Sequence, residues 1–173
     1  MQPLSTAPIH APISMLEKTP GLLELLLRDV PEELLDWKPT AERWSITEVL
    51  LHLVLIERLY EQRARLIVLE DTPILTKYQP GADGELAKRT AREYMEEFVP
   101  LRRAFTFYLH SVPAASAGRT GQHPEFGTIS LSQMLHELAN HDLGHLRQIE
   151  ELYRARAFYP YAGPFQKYSN PKP

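Results

Sequence analysis

His141 and His145 are spaced four residues apart in the segment His141-Asp-Leu-Gly-His145. On a helix such a pair lies on one face, where two imidazoles can converge on a single metal ion. Counting by fours and threes through this region places Met134, Leu138, His141, His145, Gln148 and Leu152 on one stripe. Two histidines and a glutamine therefore stand in the middle of an apolar surface. His52 interrupts a second stripe of the same kind, Val49, His52, Ile56 and Leu59. Polar side chains aimed at a core cost roughly 1–3 kcal/mol each unless they find partners. A divalent transition metal ion shared by all three is one such partner, held by a facial set of imidazoles with positions left open. The residues alone leave a second reading open, in which the three are hydrogen-bonded core histidines.

Glu48 and Glu137 each lie one turn before a stripe histidine and suit an acid–base role. Glu48 equally completes a capping box with Ser45, and Glu137 equally reads as a surface charge. Asp142, next to His141, suits an acceptor that orients the imidazole, and equally a solvated carboxylate; Gln148, one turn after His145, suits the same outer position. His136-Glu137 opens like a zinc-protease signature, but position 140 is Asn, so the second histidine is missing. His136 also lies about 140° around the helix from His141 and reads as an edge residue. His10 and His110 read as structural or solvated, and His123, in a long loop, is expected to stay off the site.

Four stretches of helical periodicity, at about 13–29, 45–69, 85–110 and 130–156, carry these residues and predict an all-α four-helix bundle. Ser45-Ile-Thr-Glu48 and Ser130-Leu-Ser-Gln133 read as N-terminal capping patterns, and Pro100 as a kink inside the third helix. The segment DTPILTKYQPGADG reads as a turn-rich linker and residues 112–129 as a long connection. No segment alternates convincingly enough to predict a strand. The tail AFYPYAGPFQKYSNPKP holds five of the sixteen aromatics, so it is expected to pack across the bundle or against a second subunit.

The 173 residues suit one domain, 1–173, with a core of its own. A net charge of −3, with no basic run longer than Arg102-Arg103, gives no footprint for nucleic acid or an anionic membrane; that pair reads as a solvated helix face. The apolar runs around Leu22–Leu27 and Val49–Ile56 are broken by Glu24 and His52 and are too short to span a bilayer. The N-terminus does not read as a signal peptide. Cysteine is absent, which fits a cytoplasmic location and removes thiolate ligands and nucleophiles.

Trp44-Ser-Ile-Thr-Glu-Val-Leu-Leu-His52-Leu resembles a W-S-x-x-E-x-L-x-H-L segment, and His141-Asp-Leu-Gly-His145-Leu-Arg-Gln148-Ile resembles H-x-x-x-H-x-x-Q-I. Both are segments of the DinB-like superfamily, which includes the bacillithiol and mycothiol transferases. His123-Pro-Glu-Phe-Gly127 and Gly163-Pro-Phe-Gln-Lys-Tyr168 look like elements of one branch of it, so the resemblance spans about residues 31–170. It implies a DinB-like bundle with a nickel or zinc ion on His52, His141 and His145. It also implies activation of a low-molecular-weight thiol for transfer to an electrophilic substrate, and a homodimer, since relatives often pair. Because the chain lacks cysteine, that thiol must be a co-substrate. The same ligands would serve a metal-dependent hydrolase of amides or esters, or a non-catalytic metal-binding bundle.

Overall fold

Each long helix that carries a candidate residue starts at a side-chain cap. Ser45 accepts from the Glu48 N–H while Glu48 reaches back to the Ser45 N–H at 2.8 Å, opening the helix that begins at Ile46. Ser130 and Gln133 do the same for the last helix, and Thr90 and Glu93 for the one between. Each box satisfies two of the N–H groups that a helix start leaves without partners. The computed structural model describes residues 7–79 and 89–172. Within them the order is α1 (His10–Leu27), α2 (Glu32–Leu35), α3 (Ile46–Leu69), α4 (Ala91–Ser111), β1 (Thr120–His123), β2 (Gly127–Ser130) and α5 (Leu131–Ala157).

α1, α3, α4 and α5 form the four-helix bundle. α3 packs on α4 and α5, and α1 packs on the same two, so α1 and α3 stand diagonally opposite. α1 begins three residues earlier than the periodicity suggests and runs through Pro20; Arg28 and Asp29 lie in a turn. α4 begins at Ala91, after its Thr90 cap, where the sequence suggested 85, and residues 85–88 lie outside the described residues. The helix continues through Pro100.

The connection 112–129 holds a short antiparallel hairpin, which corrects the expectation of no strand. Thr120 pairs with Ser130 and His123 with Gly127. The hairpin takes up the preceding linker as well: Leu75 N–H donates to Gln122 O at 2.9 Å, and Gln122 N–H to Pro73 O at 2.8 Å. Gly121 makes this possible, because a Cβ there would meet Leu75 at 3.0 Å and Ile67 at 3.1 Å. Arg63 of α3 binds Thr76 O, and Arg119 binds the carbonyls of Ile67 and Glu70 at the end of α3. Segment 73–78 is thus fixed along α3.

The apolar core is split into two clusters. One gathers Leu16, Ile56, Phe105, Leu131 and Leu138; the other gathers Leu23, Val49, Phe98, Ile149 and Leu152. Between them each helix supplies polar side chains: Thr19 from α1, His52 and Glu57 from α3, Arg102 from α4, and His141, Asp142 and His145 from α5. Arg102 is 1% exposed, so its reading as part of a solvated face is corrected. A guanidinium is buried in this way only when it is paired. Arg102 Nε lies 2.9 Å from both Glu57 carboxylate oxygens, and Nη1 is on Asp142.

The tail forms two 3₁₀ turns, Tyr159–Tyr161 and Gly163–Tyr168, against the end of α5. Tyr153 and Phe158 meet edge to face at 5.1 Å, and Gln166 donates to Tyr159 O. Phe158, Tyr161, Phe165 and Tyr168 are more than half exposed, so of the two expected placements these aromatics do not take the one across the bundle. Among the described residues no helix is long and apolar enough to cross a membrane.

Candidate metal centre

His52 comes from the second turn of α3, and His141 and His145 from consecutive turns of α5. The three rings meet between the two core clusters with centroids 4.4 to 5.0 Å apart. Their ε-nitrogens point inward: His141 Nε2 lies 2.9 Å from His52 Nε2 and 3.1 Å from His145 Nε2. One ligand atom from each residue falls within 4.8 Å of the others, and no other such group of His, Asp or Glu exists among the described residues.

The δ-nitrogens point outward. His145 Nδ1 is 2.9 Å from Gln148 Oε1, and His52 Nδ1 is 3.2 Å from the Tyr78 hydroxyl. His141 Nδ1 is buried, with no partner in hydrogen-bond geometry. Its ring is still close enough to Asp142 to help keep that carboxyl ionised. These contacts bear on the two readings of the histidines. With His145 donating to Gln148, its Nε2 carries a lone pair into the centre. A proton on His141 Nε2 would relieve the clash with that lone pair, but it would turn a bare Nδ1 toward the Asp142 carboxylate. A cation satisfies all three inward lone pairs while His145 and His52 keep the Gln148 and Tyr78 oxygens on their Nδ1 atoms. Two nitrogens each about 2.1 Å from one ion at a right angle lie about 3.0 Å apart, close to the observed spacings. The donor set therefore fits a divalent metal ion.

A family model of the DinB superfamily matches residues 15–149, a span that contains all three histidines. The chain belongs to the DinB superfamily. Among DinB-like relatives, YuaE of Bacillus subtilis, whose name assigns no activity, is 28% identical over 142 residues, covering 73% of this chain and 87% of its own. OB0782 of Oceanobacillus iheyensis, named as a candidate metal-dependent hydrolase, is 25% identical over 146 residues, covering 83% and 85%. The solved structure of YfiT from Bacillus subtilis is described as a probable metal-dependent hydrolase with an unusual four-helix bundle topology. It matches with a TM-score of 0.78 at 23% identity, over 89% of this chain and 90% of that one, and supports the DinB bundle fold.

The remaining site candidates fall at different distances from this DinB centre. Gln148 and Asp142 both sit beside a centre histidine. Asp142 is fully buried rather than solvated. Burial would raise its pKa, but the nearby His141 ring, the charge and N–H groups of Arg102, and the Thr19 hydroxyl together hold it below the usual carboxylate range. Glu48 is engaged by Lys38 at 2.9 Å and by the Ser45 N–H, which is its capping role. Glu137 is exposed, with no hydrogen bond or ion pair among the described residues. His136 is exposed and turned back on Ser132 O, and His123 is packed on Phe126 with Nδ1 accepting from Glu125 N. Neither joins the cluster.

Two contributors were not visible in the sequence. Tyr78 reaches His52 only because segment 73–78 is fixed along α3, and a turn-rich linker gives no periodic signal for that. Trp44 precedes the α3 cap and lies nearly parallel to His145, with ring centroids 6.1 Å apart, and tilted over His52 at 5.0 Å. Its place in the family segment was the one available pointer.

Burial, reinforced by the neighbouring His145 and His141, pushes the His52 pKa down to about 3. Burial and His141 lower that of His145 as well, against opposing pulls from Gln148 and Asp142. His52 and His145 are therefore neutral at pH 7, as metal binding requires. In the metal-free protein the unfolded chain takes up protons near pH 6.5 while folded His52 does not. Stability should be full above pH 6.5 and should fall as pH drops toward 3. Urea midpoints of metal-free protein at pH 7.5 and 5.5 test this: the lower pH should give the lower midpoint, and equal values would contradict it.

Proposed function

We propose that this DinB protein is a metal-dependent transferase that activates a low-molecular-weight thiol for S-transfer to an electrophile. The observation that carries the reading is the ligand set: among the described residues three imidazoles converge with no carboxylate or thiolate among them, which leaves room for a small-molecule ligand. A divalent ion bound there would lower the pKa of a thiol brought to it, so that thiolate is available near neutral pH. Nickel and zinc both suit imidazole ligands. The chain supplies no cysteine, so the sulfur must arrive as a co-substrate.

The protein's own groups divide the remaining work. Gln148 and Tyr78 hold His145 and His52 by their δ-nitrogens and keep each ε-nitrogen turned inward. Trp44 flanks His145 with its indole, keeps water off that side, and offers a flat apolar surface to an electrophile. Glu137, one turn before His141 and unpaired among the described residues, would take the thiol proton in this reading.

The name borne by OB0782 favours a second reading, in which the same ligands serve hydrolysis of an amide or ester. One experiment separates the two. Protein loaded with zinc, nickel or cobalt is assayed with glutathione, bacillithiol, mycothiol or simple thiols plus a chromogenic electrophile, and separately with ester and amide substrates. Conjugation should depend on the metal, vanish in His145→Ala, and fall at least about tenfold in Glu137→Gln at unchanged metal content. Metal-dependent ester or amide turnover without thiol conjugation would replace the transferase with the hydrolase. Failure of both assays would leave a structural metal.

A further inference from the structure

Two of the three histidines at the centre have an aligned acceptor on the outward nitrogen, and His141 does not. The next residue, Asp142, has a carboxylate whose two oxygens are unequally used. Oδ2 accepts from Thr19 Oγ1 at 2.7 Å and from Arg102 Nη1. Oδ1 accepts only a long bond, 3.3 Å, from Arg102 Nη2. Arg102 is itself held from two other sides, by Glu57 and by Leu16 O at 3.2 Å. α1, α3, α4 and α5 thus all contribute to holding one carboxylate beside one imidazole.

We infer that Thr19, Arg102 and Glu57 are positioning residues for the metal centre, acting through Asp142. They clamp its carboxylate and leave Oδ1, its less-used oxygen, available to the His141 Nδ1–H when the Nε2 lone pair is turned inward to a metal. The inference rests on the metal reading of the three histidines. It also gives a reason for a buried ion triad at this level of the bundle. A guanidinium and two carboxylates lose much of their hydration there, and a well-packed apolar layer would hold the helices together at least as well. Fixing the direction of a carboxylate is something an apolar layer cannot do.

Asp142→Asn and Thr19→Val test this. The amide keeps the shape of the carboxylate but has a single acceptor oxygen, which Arg102 and Thr19 claim, so its NH₂ faces the imidazole. In metal-free protein, nitrogen-detected NMR should show His141 protonated on Nδ1 in the parent and on Nε2 in Asp142→Asn. Metal affinity, from chelator competition with zinc, should fall about 10–100-fold in that variant. Thr19→Val keeps the carboxylate and loses one donor, so its tautomer should be parental and its affinity about three- to tenfold weaker. A parental tautomer with parental zinc affinity in Asp142→Asn would overturn the inference. If Asp142→Asn does not fold, parental affinity in Thr19→Val overturns it instead. Failure of the metal reading looks different: the parent and His145→Ala would bind zinc alike, whatever the His141 tautomer.

Discussion

Replacing His141 with alanine should weaken metal binding by more than about 100-fold, beyond the loss usual for an outer partner of a ligand. His141 Nε2 is the nitrogen nearest both of the others, and its removal leaves two imidazoles on different helices with nothing between them. His52→Ala and His145→Ala should behave alike. His136→Ala, on the same helix but exposed and turned back on Ser132 O, should bind metal as the parent does. Elemental analysis of protein purified without an affinity tag, followed by chelator competition, gives both numbers. Full occupancy in the His141→Ala protein would end the assignment.

Arg102→Met should cost about 3–5 kcal/mol of stability, the usual penalty for breaking a buried ion pair by removing one partner. Glu57 and Asp142 would be left as two buried carboxylates without a cation. Burial and the negative charges of Asp142 and Glu61 already outweigh Arg102 and hold the Glu57 pKa above its ordinary value, so the layer has little margin for such a loss. A domain of this size has about 5–15 kcal/mol in all. The adjacent Arg103 is exposed, and Arg103→Ala should change stability by no more than about 0.5 kcal/mol. Urea unfolding of the metal-free variants, followed by circular dichroism, measures the contrast. Equal midpoints for the two variants would mean that the triad holds nothing together.

This contrast marks the limit of what could be read from the sequence. Arg102 and Arg103 are neighbours of one type, and an exposed pair is the ordinary expectation. Which of them turns inward depends on Glu57 and Asp142, 45 and 40 residues away, and no local pattern records that. The caps at Ser45 and Ser130 and the histidines on apolar stripes were legible because caps and helical faces are local properties. The hairpin was not: its strands are four residues each, and part of its pairing is with Pro73 and Leu75. Tyr78 was missed for the same reason.

A core divided by a layer of charge is also a core with two possible units of opening. Each apolar cluster draws on all four long helices and excludes water on its own side of the layer. Local opening of either half can leave the other packed, as in proteins whose hydrogen exchange resolves into separate cooperative blocks. On the proposed metal reading, an ion held by α3 and α5 would bind only when both helices are seated at the boundary, and would so couple the fates of the two halves. Occupancy of the centre would then decide whether the bundle unfolds in one step or in two.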